Sequence, residues 1–371
     1  MNRATVGVLV LGAAIGMLLS LYGPAIPQLR ADYGVGGSGS ALVLSAHFAG
    51  AMTGIGWWGR ERRLADRTWL AAATALLAAG AAGIAFAPTW PVVLLAAFGV
   101  GTGFGVAAIE INVLLAEAYG RRAAAMLNLL GAAFGAGAVA GPLAVGASGG
   151  YRLPFCAGGL LAVAGLALAR DLPAPATAPA PARERPPAAM VGGFVALCGL
   201  YVGVESGVGG FEATSLLAVG SGAVAAANWT AGFWAALTAG RLLAIPLALR
   251  LAPPQLAAGS LLVATAGLAL AHLPALAPAA YTLTGLALGP VFPTVLAWLA
   301  SSAPGSRRST AMVFAGAQVG GLVLPVVIGR LVDAGTPAVI PTTVLAVALA
   351  CLATTLLLSP AAGRGPSPGR R

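Results

Sequence analysis

Apolar stretches, each long enough to cross a lipid bilayer as a helix of about twenty residues, recur along this whole 371-residue sequence. Only 8% of the residues are charged, whereas a soluble domain carries about 25% charged residues to face water. An open sheet would leave unpaired backbone groups in lipid, and a membrane barrel would show an alternation of polar and apolar residues that is absent here. The sequence therefore predicts an all-α integral membrane protein.

Twelve such stretches can be distinguished, six on each side of a segment rich in Pro and Ala. That composition is typical of an extended, solvated linker. We therefore predict an N-terminal six-helix half over residues 1–170, a cytoplasmic linker over 171–188, and a C-terminal six-helix half with a short basic tail over 189–371. The predicted spans are 4–26, 38–58, 69–87, 91–117, 123–147, 152–170, 189–209, 228–249, 254–273, 277–301, 309–332 and 338–359.

The distribution of arginine predicts the orientation of these spans. With the N-terminus inside, sixteen of the twenty arginines lie on the inner side, Arg30, Arg152 and Arg330 lie on the outer side, and Arg241 lies within a span. Basic loops are retained in the cytoplasm, so both termini are predicted to be cytoplasmic in a multi-pass protein of the cell inner (cytoplasmic) membrane. The clusters do not form the continuous basic surface that binds nucleic acid, and no nucleic-acid partner is expected.

A short internal repeat relates the two halves. The sequence RRAAAM at 121–126 joins the fourth and fifth spans, and RRSTAM at 307–312 joins the tenth and eleventh. Gly135 and Gly321 follow at the same spacing. This offset, close to half the chain, predicts a parallel duplication of two six-helix units.

The layout of two times six spans with a central linker resembles the major facilitator superfamily. The segment from Gly59 to Asp66 and Arg67 is similar to that superfamily's Gly-x-x-x-Asp-Arg-x-Gly-Arg-Arg loop, which implies a role as a gating loop. It departs from the pattern because Gly59 is too far from Asp66, and because Thr68 and Trp69 stand where glycine and basic residues are expected.

Glycine and proline carry a second part of the resemblance. Gly137, Gly141 and Pro142 in the fifth span resemble a signature that is frequent in exporters of the superfamily. In the tenth span Pro290 and Pro293 resemble the sugar-porter branch related to fucose–proton symporters, as do residues 200–205 and 233–241. We expect these glycines and prolines to permit close helix packing and bending.

The resemblance implies twelve transmembrane helices in two six-helix pseudo-repeats, the major facilitator fold. It also implies a secondary transporter that works by alternating access, with the solute contacting spans one, four, seven and ten. We expect such a protein to act as a monomer in the lipid bilayer.

Charged side chains within spans are the first candidates for function, because each costs several kcal/mol unless it is paired or solvated. Glu110 and Arg241 are predicted to lie at similar depth, and we hypothesise that they pair across the halves in one conformation. Glu205 is placed nearer the outer end of its span, about 14 Å from Arg241 along the membrane normal, so this pair is not expected. Glu205 and Glu110 are the candidates for proton binding, whereas Glu212 is expected to be solvated at the end of its span.

Polar uncharged side chains at membrane depth are candidates for a solute cavity. His47 in the second span is either a hydrogen-bonded packing residue or a proton relay. Glu110 does not reproduce the sugar-porter arrangement, in which an acid precedes the asparagine by four positions, so that proton site is not carried over. The cavity candidates are Tyr22, Asn112, Tyr201, Gln318 and His47.

Other classes of function fit the sequence less well. The phosphate-binding loop of an ATP-driven pump needs a lysine, which this chain lacks, and the two histidines and ten acids are too scattered for a membrane enzyme. Duplicated halves suit alternating access better than a channel. Cys156, Cys198 and Cys351 have no metal or redox spacing, and no catalytic residue, metal or cofactor is expected.

Two interpretations remain open. One is proton-coupled uptake of a sugar-like solute, and the other is proton-driven export of a small amphipathic compound. Spans rich in Ala, Gly, Val and Leu offer few hydrogen bonds to a sugar, which slightly favours export. The expected partners are therefore a small-molecule solute and protons.

Overall fold

The computed structural model describes residues 2–60, 66–169, 187–302 and 307–362, and within these ranges the chain is α-helical without a β-strand. Every predicted span is present as a helix, and two spans are each divided into two helices. The N-terminal helices are α1 Arg3–Ser20, α2 Tyr22–Tyr33, α3 Gly37–Arg60, α4 Asp66–Phe86, α5 Trp90–Tyr119, α6 Ala123–Ser148 and α7 Arg152–Leu168. The C-terminal helices are α8 Ala188–Ala218, α9 Ala223–Ala248, α10 Pro253–Leu270, α11 Ala277–Leu288, α12 Val291–Ser302, α13 Arg307–Ala334 and α14 Val339–Ala362.

The length and composition of these helices fit a membrane protein. Among the described residues, ten segments are long and apolar enough to cross a membrane, with α11 and α12 counted as one. Helix α7 is apolar but has only 17 residues. With α3, these segments make the twelve spans of the predicted all-α fold.

Two helices extend well past the ends predicted from the sequence. Helix α2 continues to Tyr33 rather than residue 26, and α8 continues to Ala218 rather than residue 209. The added turns contain polar residues such as Arg30 and Glu212, which are typical of a loop. The polar turns remain helical because they pack against neighbouring helices, and α2 ends only where Gly34 adopts a left-handed conformation with φ 62°.

The two halves repeat one packing scheme. In the first half α1 packs against α6 and α7, α3 against α5, and α4 against α5 and α7. In the second half α8 packs against α13 and α14, α9 against α11, and α10 against α11 and α14. These are equivalent pairs when the spans of each half are numbered from one to six, as the internal sequence repeat predicts.

The molecule has two ends that differ in how the halves meet. We call one the Asp333 end, formed by the turns at 34–36, 87–89, 149–151, 219–222, 271–276 and 335–338. The other is the linker end, formed by the turns at 120–122 and 249–252 and by the ends of α7 and α8 that flank the linker.

Candidate functional site

The halves are in direct contact at the Asp333 end. Helix α2 packs against α8 so closely that a Cβ added to Gly23 would lie 2.1 Å from the carbonyl oxygen of Gly209. Only a glycine permits this approach of two backbones. Closer to mid-depth, the ring of Phe48 on α3 lies against Gly321 on α13, and Gly135 on α6 lies against Thr238 on α9.

Asp333 adds a polar connection across the same end. Its Oδ1 accepts a hydrogen bond from the Gly37 amide at 2.5 Å, and its Oδ2 accepts from the Ser38 amide and hydroxyl at 2.7 and 2.5 Å. Gly37 and Ser38 are the first residues of α3, so a carboxylate of one half caps a helix of the other. This contact can persist only while the Asp333 end is closed.

Two pairs of long helices also pack across the halves, α3 with α13 and α6 with α9. Helices α5 and α12, which run to that end in the two halves, are not packed against each other. The close contacts described above all lie between mid-depth and the Asp333 end. The closest contacts between the halves that the structure describes therefore belong to the Asp333 side of the molecule.

Glu205 on α8 and Arg241 on α9 lie together near mid-depth. Arg241 Nη2 is 4.0 Å from Glu205 Oε1, and the two side chains are 27% and 16% exposed. Arg241 Nε forms no hydrogen bond with another described residue. Arg241 is one turn from Thr238, where α9 touches the N-terminal half at Gly135, so the pair lies beside the seam between the halves.

The expectation that Glu205 and Arg241 are too far apart is wrong. Because α8 continues to Ala218, Glu205 is about 20 Å from the Asp333 end of its helix, and Arg241 is about 27 Å from the same end of α9. The long arginine side chain bridges the remaining difference in depth. The error came from ending the seventh span nine residues too early.

Aromatic and amide side chains extend this cluster in the C-terminal half. Tyr201, one turn before Glu205, is 1% exposed, and its hydroxyl lies near Glu205 and Arg241 without forming a well-aligned hydrogen bond to any described residue. Its ring stacks on Phe292 of α12 with centroids 5.7 Å apart, and Phe292 meets Phe314 of α13 edge to face at 5.6 Å. Gln318, one turn after Phe314, has an unpartnered Oε1. The cluster combines unpaired polar atoms with an aromatic surface.

Glu110 lies elsewhere, inside the N-terminal half. Its Oε2 accepts a hydrogen bond from Trp58 Nε1 of α3 at 2.6 Å, and the residue is 2% exposed. Among the described ion pairs, Arg241 is joined to Glu205 and not to Glu110. The hypothesised pair across the halves is therefore not formed in this conformation. Asn112 donates to the Ala108 carbonyl oxygen of its own helix at 2.6 Å.

His47 and Tyr22 form a separate buried contact. Both are 0% exposed, and His47 Nδ1 lies 3.3 Å from the Tyr22 hydroxyl. Phe48, Phe104 and Phe155 surround the two rings. These two cavity candidates therefore belong to an aromatic core of the N-terminal half, apart from the cluster around Glu205.

The predicted glycines and prolines lie in α6 and in the tenth span. Gly137 and Gly141 bring α6 against α1, since an added Cβ would lie 1.8 Å from the Ala13 carbonyl oxygen and 2.4 Å from Ser20 Oγ, respectively. Pro142 lies inside α6, whereas the tenth span is interrupted at Gly289 and Pro290, just before Pro293.

The predicted gating loop is only partly described. Gly59 and Asp66 lie on either side of the segment 61–65, which is outside the described residues. The surroundings of Gly59 and of Asp66 are also outside the described part of the chain. Arg67 is exposed.

Three contributors to these contacts were not singled out in the sequence. Trp58 and Phe292 are aromatic residues in apolar helices, and only the structure distinguishes them from packing residues. Asp333 is visible in the sequence as an acid at the end of a span, but its partner on α3 is not.

The comparisons with known proteins agree with this architecture. The model of the Major Facilitator Superfamily matches residues 8–202. No curated protein sequence matches the chain. The structure of a bacterial homologue of the human lysosomal transporter Spinster, in an inward-facing and occupied conformation, is 15% identical over 98% of both chains, with a TM-score of 0.78.

Two transporter structures in different conformations are also similar. XylE from E. coli, a xylose transporter in a partially occluded inward-open conformation, is 13% identical over 100% of this chain and 99% of its own, with a TM-score of 0.79. FucP, in the outward conformation, is 17% identical over 97% and 99%, with a TM-score of 0.68. At these identities the likeness establishes the fold.

Proposed function

Because this chain belongs to the Major Facilitator Superfamily, we propose that it is a proton-coupled secondary transporter that exports a small amphipathic solute by alternating access. The observation that carries the proposal is the Glu205–Arg241 pair beside the seam between the halves. A partly exposed acid next to a cation is a protonatable switch, because a proton and the guanidinium compete for one carboxylate.

The proposed mechanism begins with the ionised pair. Protonation of Glu205 removes the charge that holds Arg241, whose Nε forms no hydrogen bond with any described residue. The released guanidinium can then bind the solute or a group of the opposite half. Deprotonation restores the pair, so the charge state of one carboxyl group biases which arrangement of the halves is favoured.

The surroundings of the pair favour an amphipathic solute. Tyr201, Phe292 and Phe314 present an aromatic surface, and within the described part of the chain the Tyr201 hydroxyl and Gln318 Oε1 form no hydrogen bond. An apolar surface with a few placed polar atoms is the usual form of a small-molecule site. Uptake of a sugar-like solute is the second candidate, supported by the fold shared with a D-xylose–proton symporter.

The difference between the two ends of the molecule supports an inward-facing conformation. The arginine distribution supports a cytoplasmic linker end, so the Asp333 end, where the halves make close contacts, would be the closed outer end of an inward-facing conformation. The TM-scores are higher with the inward-facing and inward-open structures than with the outward one, which also supports an inward-facing conformation. We place the protein in the cell inner (cytoplasmic) membrane, acting as a monomer.

The test is proton flux in proteoliposomes that contain a pH-sensitive dye, challenged with panels of sugars and amphipathic compounds. We expect one class of compound to move protons in the wild type, Glu205→Gln to abolish this movement, and Glu110→Gln to retain it. The direction of the coupled flux distinguishes export from uptake. If folded wild type moves no protons with any compound, or if Glu205→Gln behaves as wild type, the proposal is wrong.

A further inference from the structure

Glu212 is a second acid of α8 that the mechanism above does not use. The sequence predicted that it would be solvated at the end of its span, but it is 0% exposed, because α8 continues for six residues beyond it. Neither carboxyl oxygen has a hydrogen-bond partner in the described structure. A buried ionised carboxylate without a partner is very costly, whereas the neutral acid is tolerated.

Two hydroxyl groups near Glu212 donate their protons to other acceptors. Thr230 on α9 lies beside it, but the one hydroxyl proton of Thr230 is donated to the Ala226 carbonyl oxygen at 3.1 Å. On α11, Tyr281 donates its proton to Ser215 Oγ at 2.9 Å. The Thr230 and Tyr281 protons are thus donated to other acceptors, and the Thr230 oxygen remains able to accept a hydrogen bond from a protonated carboxyl.

Among the described residues, no cation compensates a charge at this position. In the described chain no ion pair involves Glu212, and Arg241 is paired with Glu205, two turns away. Helices α12 and α14 carry no charged side chain in the described residues. The other ionisable groups on elements packed against α8 are Tyr281 of α11, Tyr22, Arg30, Asp32 and Tyr33 of α2, Cys351 of α14, and Arg307, Arg308, Arg330 and Asp333 of α13.

The N-terminal half covers this part of α8 only while the Asp333 end is closed. Ala213, the next residue, lines a cavity of about 70 Å³ between α2 and α6 of one half and α8 and α9 of the other. One turn earlier, the backbone of Gly209 touches Gly23. Separation of α2 from α8 would therefore bring water to the residues that flank the Glu212 carboxyl group.

We propose that Glu212 is a second proton-binding site, distinct from the Glu205–Arg241 pair, that holds a proton while the Asp333 end is closed and releases it to the adjoining water when that end opens. The inference rests on the alternating access of the proposed function. Ionisation breaks the carboxyl O–H bond, and the carboxylate left behind resists reburial. High pH on that side therefore favours opening, and low pH favours closure.

Infrared spectroscopy in lipid nanodiscs tests the protonation state directly. We expect the wild type at neutral pH to show the carbonyl stretching band of a neutral carboxyl group, and Glu212→Gln to lose it. Glu117→Gln, which removes an exposed acid at the linker end, should retain the band. The backbone amide band reports whether each variant is folded. If Glu212→Gln keeps every neutral-carboxyl band of the wild type, the proposal is overturned.

The link to opening is tested by spin labels on Thr89→Cys and Ala275→Cys, exposed positions of the two halves at the Asp333 end. The three native cysteines are replaced, and no solute or gradient is present. Raising the pH should increase several-fold the population of molecules with a long distance between the two labels. We expect this increase with native Glu212 and with Glu117→Gln.

Glu212→Gln should show the short distance at every pH. A pH response that is the same with and without Glu212 overturns this proposal and leaves the proposed transport intact. A failure of the proposed transport would instead appear in the proteoliposome assay. The distance measurements do not depend on the result of that assay.

Discussion

Single residues in this protein take their roles from their depth along a helix. Glu205 and Glu212 are two turns apart on α8, yet one is partly exposed beside Arg241 and the other is wholly buried without a charged partner. The sequence could predict that both acids lie in the seventh span or close to its end. It could not predict their surroundings, because those depend on where α8 ends and on which helices pack against it.

Gly137 provides a prediction at this scale. Gly137→Ala should lower the stability of the protein by about 1–3 kcal/mol, because the new Cβ would lie 1.8 Å from the Ala13 carbonyl oxygen and force α6 away from α1. Thermal unfolding in detergent measures the effect. Gly131→Ala is the matched control on the same helix, since an added Cβ there meets nothing within 4 Å. Equal losses for the two variants would contradict this account of helix packing.

At the scale of whole helices, composition was sufficient for the number and order of the spans but not for their ends. The extra turns of α2 and α8 contain polar residues, and a sequence pattern cannot show that neighbouring helices keep such turns helical. The break of the tenth span at Gly289 and Pro290 lies where proline was expected to permit bending. The capping of α3 by Asp333 is a contact between residues almost 300 positions apart, which no local pattern contains.

Asp333 provides the prediction at the scale of helices. Asp333→Ala should increase several-fold the population in which the Asp333 end is open, because three hydrogen bonds to the start of α3 are lost. The distance between labels at residues 89 and 275 measures this population. Asp32→Ala is the control, since Asp32 bonds to Tyr151 and Arg152 within one half. A similar shift with Asp32→Ala would mean that Asp333 does not act across the halves.

At the scale of the molecule, the internal repeat predicted two equivalent halves, and the structure shows equivalent helix pairs in each. The sequence could not predict which end is closed. Both conformations of an alternating-access protein use the same residues, and the balance between them is a small difference between large interface energies. The close contacts between the halves at the Asp333 end are therefore information that only the structure supplies.

The measurement that tests alternating access most directly is a pair of distances, one across each end of the same molecule. Labels at residues 89 and 275 report the Asp333 end, and labels at Ala118 and Ala252, exposed at the linker end of the two halves, report the other. We predict reciprocal changes, so that any solute or pH that lengthens one distance shortens the other. Ends that widen together, as in a channel, or that change independently would contradict the account.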